Sequence, residues 1–186
     1  LETISYPTTR DERWKYTRVA RVQQLEFAPA PAAPAAPPAV LPELGAHRLV
    51  FVDGQFVSGE GVNTNGVFIG PLSRAMVDCP DRLSALASDH FAGTEWFAAL
   101  QASAPQDGGA VLIPDGVTLD KPVFIHHHLS AGTHVAQPQH LVVVGKESRA
   151  EVIVWTTTDA DANGLYNGAI TADLGEHAHL GLEIVQ

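Results

Sequence analysis

Two apolar, β-rich runs, Leu49-Val50-Phe51-Val52 and Gln55-Phe56-Val57-Ser58, flank a two-residue Asp53-Gly54 step. That spacing predicts a β-hairpin with a type I′ turn, whose central residues need the positive φ that Asp and Gly tolerate. Val67-Phe68-Ile69 reads as a third strand and the stretch from Pro80 to Ala87 as a short helix. A further helix is predicted from about Thr94 to Ala102, where Trp96, Phe97 and Leu100 share one stripe. Gly108-Gly109 ends anything helical, and the last third turns to short β runs: Ala110–Ile113, Val117–Leu119, Val123–His126, Leu141–Val144, Val152–Thr156, Ala169–Thr171 and Leu180–Ile184. Strands this short, separated by Gly, Pro and Asp, predict a sandwich or a solenoid.

An internal repeat favours the solenoid. Gly145-Lys146-Glu147-Ser148-Arg149-Ala150-Glu151-Val152 aligns with Gly175-Glu176-His177-Ala178-His179-Leu180-Gly181-Leu182 at a shift of 30 residues, and Gly116 lies 29 before Gly145. Small or apolar residues recur at Ser148/Ala178, Ala150/Leu180 and Val152/Leu182, the period-two face of a strand stacked on its successor.

Before the hairpin the chain has a different character. Thr9-x-x-Glu12 has capping-box spacing, so a helix is expected to begin near Thr9, with Trp14 and Val19 or Val22 as its apolar contacts and Arg10, Arg13, Arg18 and Arg21 facing water. Residues 28 to 42 hold six prolines and seven alanines in 15 positions, a composition that predicts an extended spacer. The expected organisation is a helical segment over 1–27, this linker over 28–42, a small α/β region over 43–104, and the stacked strands over 105–186.

Composition narrows the class. A hydrophobic content of 45% and a mean hydropathy of +0.03 suffice for a core. No apolar run reaches the roughly 18 residues that a membrane helix needs, and residues 1 to 26 lack the build of a signal peptide. Leu1 stands where an initiator Met would, so the original start is expected to be missing. Five Arg or Lys against four Asp or Glu in residues 1 to 26 give +1, whereas six against 17 in residues 43 to 186 give −11. A body this acidic repels phosphate, which argues against nucleic acid and anionic membrane as partners. A lone Cys79 permits no internal disulfide and fits a reducing cytoplasm.

Candidate chemistry is sparse. On a strand, His126 and His128 share a face, which makes them the weak candidates for a metal site. No carboxylate follows between Leu129 and Gln139 to complete a cupin-like shell, so the His126-His127-His128 run is expected to be an exposed edge or turn without metal. Cys79 lacks a second thiol or an adjacent base and is expected to be packed and unreactive. Asp115/Asp120 and Asp159/Asp161 sit in turns, where Asp accepts local backbone bonds. Walker, dinucleotide-binding and nucleophile-elbow patterns are absent, so no catalytic and no cofactor-binding residue is assigned, and the chain is expected not to be an enzyme.

The segment Pro7-Thr8-Thr9-Arg10-Asp11-Glu12-Arg13-Trp14-Lys15-Tyr16-Thr17 resembles the opening of SufD proteins of the SufB/SufD family. Leu49 to Phe56, Phe97-Ala98-Ala99-Leu100 with Asp107-Gly108, Ile113-Pro114-Asp115-Gly116-Val117, Lys121-Pro122-Val123, His140 to Ser148 and Asn167 to Gln186 are similar to successive parts of the same family. Gln101 stands where Asn is usual. The resemblance implies a mostly β chain, in which a small N-terminal helix and hairpin region precedes the first rungs of a right-handed parallel β-helix that is truncated here. It also implies a non-catalytic scaffold of iron-sulfur cluster assembly acting with SufB and the SufC ATPase through a later part that this chain lacks, with no cofactor of its own. Trp14 and Tyr16 are expected to be apolar anchors. The open end after Leu182-Glu183-Ile184-Val185 is expected to pair with a second copy. A carbohydrate-active β-helix enzyme or binding module is the rival, thinly supported by Lys121, Lys146 and Arg149. A cupin-like metal protein using His126 and His128 is the third reading.

Overall fold

The computed structural model describes residues 5–17, 19–24, 26, 45–59, 61–84 and 95–186, so the expected linker over 28–42 lies outside the described residues. The described fold is mostly β. The hairpin forms as predicted: β1 (His47–Val52) and β2 (Gln55–Gly59) join through Asp53 at φ 49° and Gly54 at φ 80°. A second hairpin, not foreseen, joins β3 (Val62–Thr64) to β4 (Val67–Pro71) through Asn65 at φ 50° and Gly66 at φ 79°. Both turns need two left-handed residues, which Asp-Gly and Asn-Gly supply at little steric cost.

Helices are short. α1 (Ala20–Gln23) follows a single 3-10 turn over Glu12–Trp14, which replaces the helix expected from Thr9. The Asp11 carboxylate accepts the Thr8 backbone N–H at 2.7 Å and bends the chain there, so the Thr9-x-x-Glu12 box never closes. α2 (Leu72–Asp78) was not foreseen, and α3 (Pro80–Ser84) holds the described part of the helix predicted from Pro80. α4 (Trp96–Ser103) matches its prediction.

The remaining strands are β5 (Gly109–Ile113), β6 (Val123–Leu129), β7 (Val135–Ala136), β8 (Gln139–Val144), β9 (Arg149–Thr158), β10 (Leu165–Tyr166), β11 (Ala169–Leu174) and β12 (His179–Val185). They build two five-stranded sheets, β12-β9-β6-β1-β2 and β11-β8-β5-β4-β3, and a two-stranded sheet β10-β7. The sheets are mixed. β1–β2, β3–β4 and β4–β5 are antiparallel, and every other pairing is parallel.

The parallel pairings carry the repeat. His179 lies against Arg149 and Ala169 against Gln139, both at the 30-residue shift read from the sequence. Nearer the start the shift varies: Val152 lies against Val123, 29 apart, and Leu141 against Ala110, 31 apart. Gly116 therefore does not correspond to Gly145. Its N–H reaches Lys146 O, and its left-handed φ of 71° recurs at Glu147 and His177.

Alternation along the strands fills the space between the two large sheets with Leu49, Phe51, Ile69, Val111, Ile113, Ile125, Val142, Val152 and Val154, each at most 2% exposed. Removing such a side chain from water contributes roughly 1.5–3 kcal/mol. A smaller cluster, with Phe68, Ala110, Leu112 and Leu141, is closed by Ala75 of α2. The α2 start is held by Asp107, whose carboxylate accepts the Ser73 N–H at 3.0 Å and hydroxyl at 2.6 Å.

At one corner an amide ladder fastens α4. Gln137 donates to Ala104 O at 3.2 Å, and Asn167 donates to Phe97 O at 2.9 Å and to Gln137 Oε1 at 3.2 Å. Trp14 and Tyr6 then pack on Phe97 and Trp96, with ring centroids 5.2 Å and 4.6 Å apart. Tyr16 is 90% exposed, so the expectation of two anchors holds for Trp14 only. The short turn cannot aim both rings at α4.

Candidate functional site

The densest titratable cluster is on β6. His126, His127 and His128 are 0%, 2% and 6% exposed, which overturns the exposed edge or turn expected for this run. They occupy the middle of a sheet, with β1 on one side and β9 on the other, and strand alternation sends their rings to both faces.

His126 and His128 share a face, as read from their spacing, and both converge on the Thr157 hydroxyl of β9, from Nε2 at 2.7 Å and Nδ1 at 2.9 Å. His128 Nε2 lies 3.3 Å from the Asp159 carboxylate, which accepts only, so a proton sits on Nε2, and in the neutral ring Nδ1 is then a lone pair. Thr157 therefore donates to His128 and accepts from His126 Nε2–H. The rings meet on a hydroxyl already committed to both. Burial, with His128 adding, holds the His126 imidazole down at about 4, so it is neutral at physiological pH.

His127 points into the core. It stacks on Phe51, with centroids 4.7 Å apart, and its Nε2 lies 3.1 Å from Nε2 of His140 on β8. The Gly109 N–H donates to His140 Nδ1 at 2.9 Å, which places the His140 proton on Nε2. His140 therefore donates to His127, whose own proton is left on Nδ1, a buried donor with no partner among the described residues. A metal on these facing nitrogens would need the His140 proton on Nδ1, opposite the Gly109 N–H, so two donors would clash. Burial keeps both rings neutral, His140 down at about 4 and His127 far below its ordinary value. Tyr166, 3.5 Å from His140 Nε2, is pushed up to about 12 by burial.

The other candidates are structural in their contacts. Asp53 is fully buried and accepts the Ser130 N–H at 2.9 Å and hydroxyl at 2.6 Å. Asp115 accepts the Lys146 N–H at 2.7 Å, and Asp159 accepts the Ala131 N–H at 3.1 Å. Cys79 is half-buried at the end of α2 against the smaller apolar cluster. Sequence reasoning missed the His127–His140 pair, because 13 residues and a change of sheet separate its members. Their inward parity was the available signal. Among the described residues, no helix is long and apolar enough to cross a membrane.

Comparison with known proteins gives two findings. A family profile described as the SufBD protein N-terminal region matches residues 1–125. An iron-sulfur cluster assembly SufBD family protein of Synechocystis sp. is 29% identical over 168 residues, which cover 83% of this chain and 36% of that protein. The chain thus spans about a third of the length of that relative.

Proposed function

The chain belongs to the SufB/SufD family, and from that membership we propose that it is a non-catalytic scaffold subunit of the SUF iron-sulfur cluster assembly machinery, of the SufD kind. The observation that carries the reading is the family match over residues 1–125, which takes in the Trp14-Lys15-Tyr16-Thr17 opening and the Asp53-Gly54 hairpin. SufB and the SufC ATPase are its partners in the full-length protein, and the cytoplasm is its compartment.

The fold that goes with this reading is the start of a right-handed parallel β-helix. Parallel pairings offset by 29 to 31 residues through β5 to β12 support it, and the two hairpins would close its first end. A scaffold without chemistry of its own is also in keeping with the histidine strand. The Thr157 hydroxyl is shared by His126 and His128, His128 Nε2 faces the Asp159 carboxylate, and the His140 nitrogens are spent on His127 and the Gly109 N–H. On this reading His126 and His128 hold no metal and the chain carries no cofactor.

Co-expression of the tagged full-length protein with SufB and SufC tests the proposal. The three are expected to co-purify stoichiometrically, and metal analysis of the subunit alone is expected to show no Zn, Fe, Ni or Mn after dialysis. Recovery of the tagged protein without either partner, or bound metal lost on replacing His126 and His128 together, overturns it.

A further inference from the structure

We propose that the His127–His140 bond is a proton-operated tie between the two large sheets, closed while both rings are neutral and opened by the uptake of a single proton. His127 belongs to β6 of one sheet and His140 to β8 of the other, so their 3.1 Å contact crosses the core. Every lone pair in the pair is already used. His140 Nδ1 accepts from Gly109, His127 Nε2 accepts from His140 Nε2–H, and the remaining nitrogen, His127 Nδ1, already carries its hydrogen. An added proton must therefore break either the tie itself or the Gly109 bond.

Nothing near the pair stabilises that charge. β1 presents Phe51, face-on to His127 and edge-on to His140 at 6.4 Å. β9 presents Thr156, in register with His127, and β10 presents Tyr166, whose burial keeps it neutral. β5 presents the Gly109 N–H. The neighbouring His126 on β6 is a base that opposes protonation, and Asp107, the carboxylate nearest to Gly109 along the chain, is held by Ser73 and the Gly108 N–H. Among the described residues no carboxylate contacts either ring. A charged pair in this setting is an uncompensated buried ion, which favours opening over retention.

Where the proton takes His140 Nδ1, the place that loosens is defined. Gly109 is the first residue of β5, between β4 and β8, and a Cβ there would lie 2.7 Å from Ile125 Cδ1, so the position has no room for a side chain. Losing the Gly109 bond frees the start of β5 and the Leu72–Gly108 contact that seats α2. β9 and β12, which carry neither ring nor the Gly109 bond, stay paired with each other.

The test is hydrogen exchange on the full-length protein from about pH 7.5 to about pH 3.5, corrected for the intrinsic pH dependence of exchange. Amides of Gly109–Ile113 and Gln139–Val144 are expected to lose protection first, ahead of Arg149–Thr158. In the H127F/H140Q double variant, Phe keeps the stack on Phe51 and Gln keeps an acceptor for Gly109, and this early loss is expected to vanish. The same loss at the same pH in the double variant overturns the proposal. Should that variant not fold, ring 15N shifts of the unsubstituted protein decide. Both rings are expected neutral at pH 7, with the His140 hydrogen on Nε2. A hydrogen on Nδ1 of His140, or a charged pair with β5 still protected, overturns it.

Discussion

At one corner of the stacked strands, Gly116, Glu147 and His177 hold the left-handed conformation at φ 71°, 54° and 58°. Glycine reaches that region freely, whereas Glu and His crowd Cβ against the following carbonyl, at roughly 1–2 kcal/mol each. Glu147→Gly is therefore expected to raise stability by about 0.5–1 kcal/mol after the extra freedom of glycine in the unfolded chain is deducted, read as a higher urea midpoint at unchanged slope. No gain would show that the corner is unstrained. The buried imidazoles act on the same scale in the opposite direction. His126 and His140 titrate at about 4 when folded, below the ordinary 6.5, and His127 is depressed too. Between pH 6.5 and 4 the unfolded chain thus binds more protons than the folded one. Stability is full above that window and falls as pH drops through it, by roughly 1.4 kcal/mol per unit for each ring and about 4 for all three. Urea titrations across the window check this, and a flat profile would mean that the rings are solvated.

Among the elements, the first hairpin is anchored beyond its own turn. A Cβ on Gly54 would lie 2.0 Å from Gln106 Oε1, and that amide is fixed by the Gln137 N–H at 2.6 Å and by its bond to Val135 O at 3.2 Å. Gly54→Ala must break this arrangement as well as bear positive φ, so a loss of about 2–3 kcal/mol is expected, against about 1 for an isolated turn glycine. A loss of only the smaller size in thermal denaturation would show that Gln106 swings away freely. The α4 helix depends on the corner ladder. Asn167→Ala leaves Phe97 O and Gln137 Oε1 without their donor, and the expected result is about 1–2 kcal/mol of lost stability with faster exchange in Trp96–Ser103 than elsewhere. Uniform loosening would instead place Asn167 in the general core.

At the scale of these 186 residues as a whole, association is expected to be decided at the β12 edge. β12 pairs with β9 on one side only among the described residues, and Leu182, Ile184 and Val185 are 39%, 58% and 44% exposed. A chain of these 186 residues is expected to self-associate at tens of micromolar, and Ile184→Lys to return it to monomer, because a charge on an edge strand blocks pairing. Light scattering that shows a monomer throughout would mean that this edge does not pair. Much of this architecture was legible in the chain. Asp53-Gly54 specified its hairpin because a two-residue turn is a local backbone problem, and the 30-residue shift showed which strands lie together because each stacked strand repeats the inward positions of its neighbour. The same holds for α4, whose Trp96, Phe97 and Leu100 mark one helical face. What remained closed to sequence depends on which of several competing contacts wins, some of them local and most of them between distant segments. The 3-10 turn at Glu12 replaced a helix because Asp11 captured Thr8, and Tyr16 lost its partner for want of a helix to aim it. Burial of the His126–His128 run followed from β1 and β9 closing over both edges of β6, which no local pattern records. The sequence by itself determined the Asp53-Gly54 turn, the strand period and the family, since these rest on neighbours in the chain. Only the tertiary structure set the protons of His126, His127, His128 and His140, because a tautomer is chosen by the donor or acceptor that folding brings within 3 Å or so of each ring nitrogen.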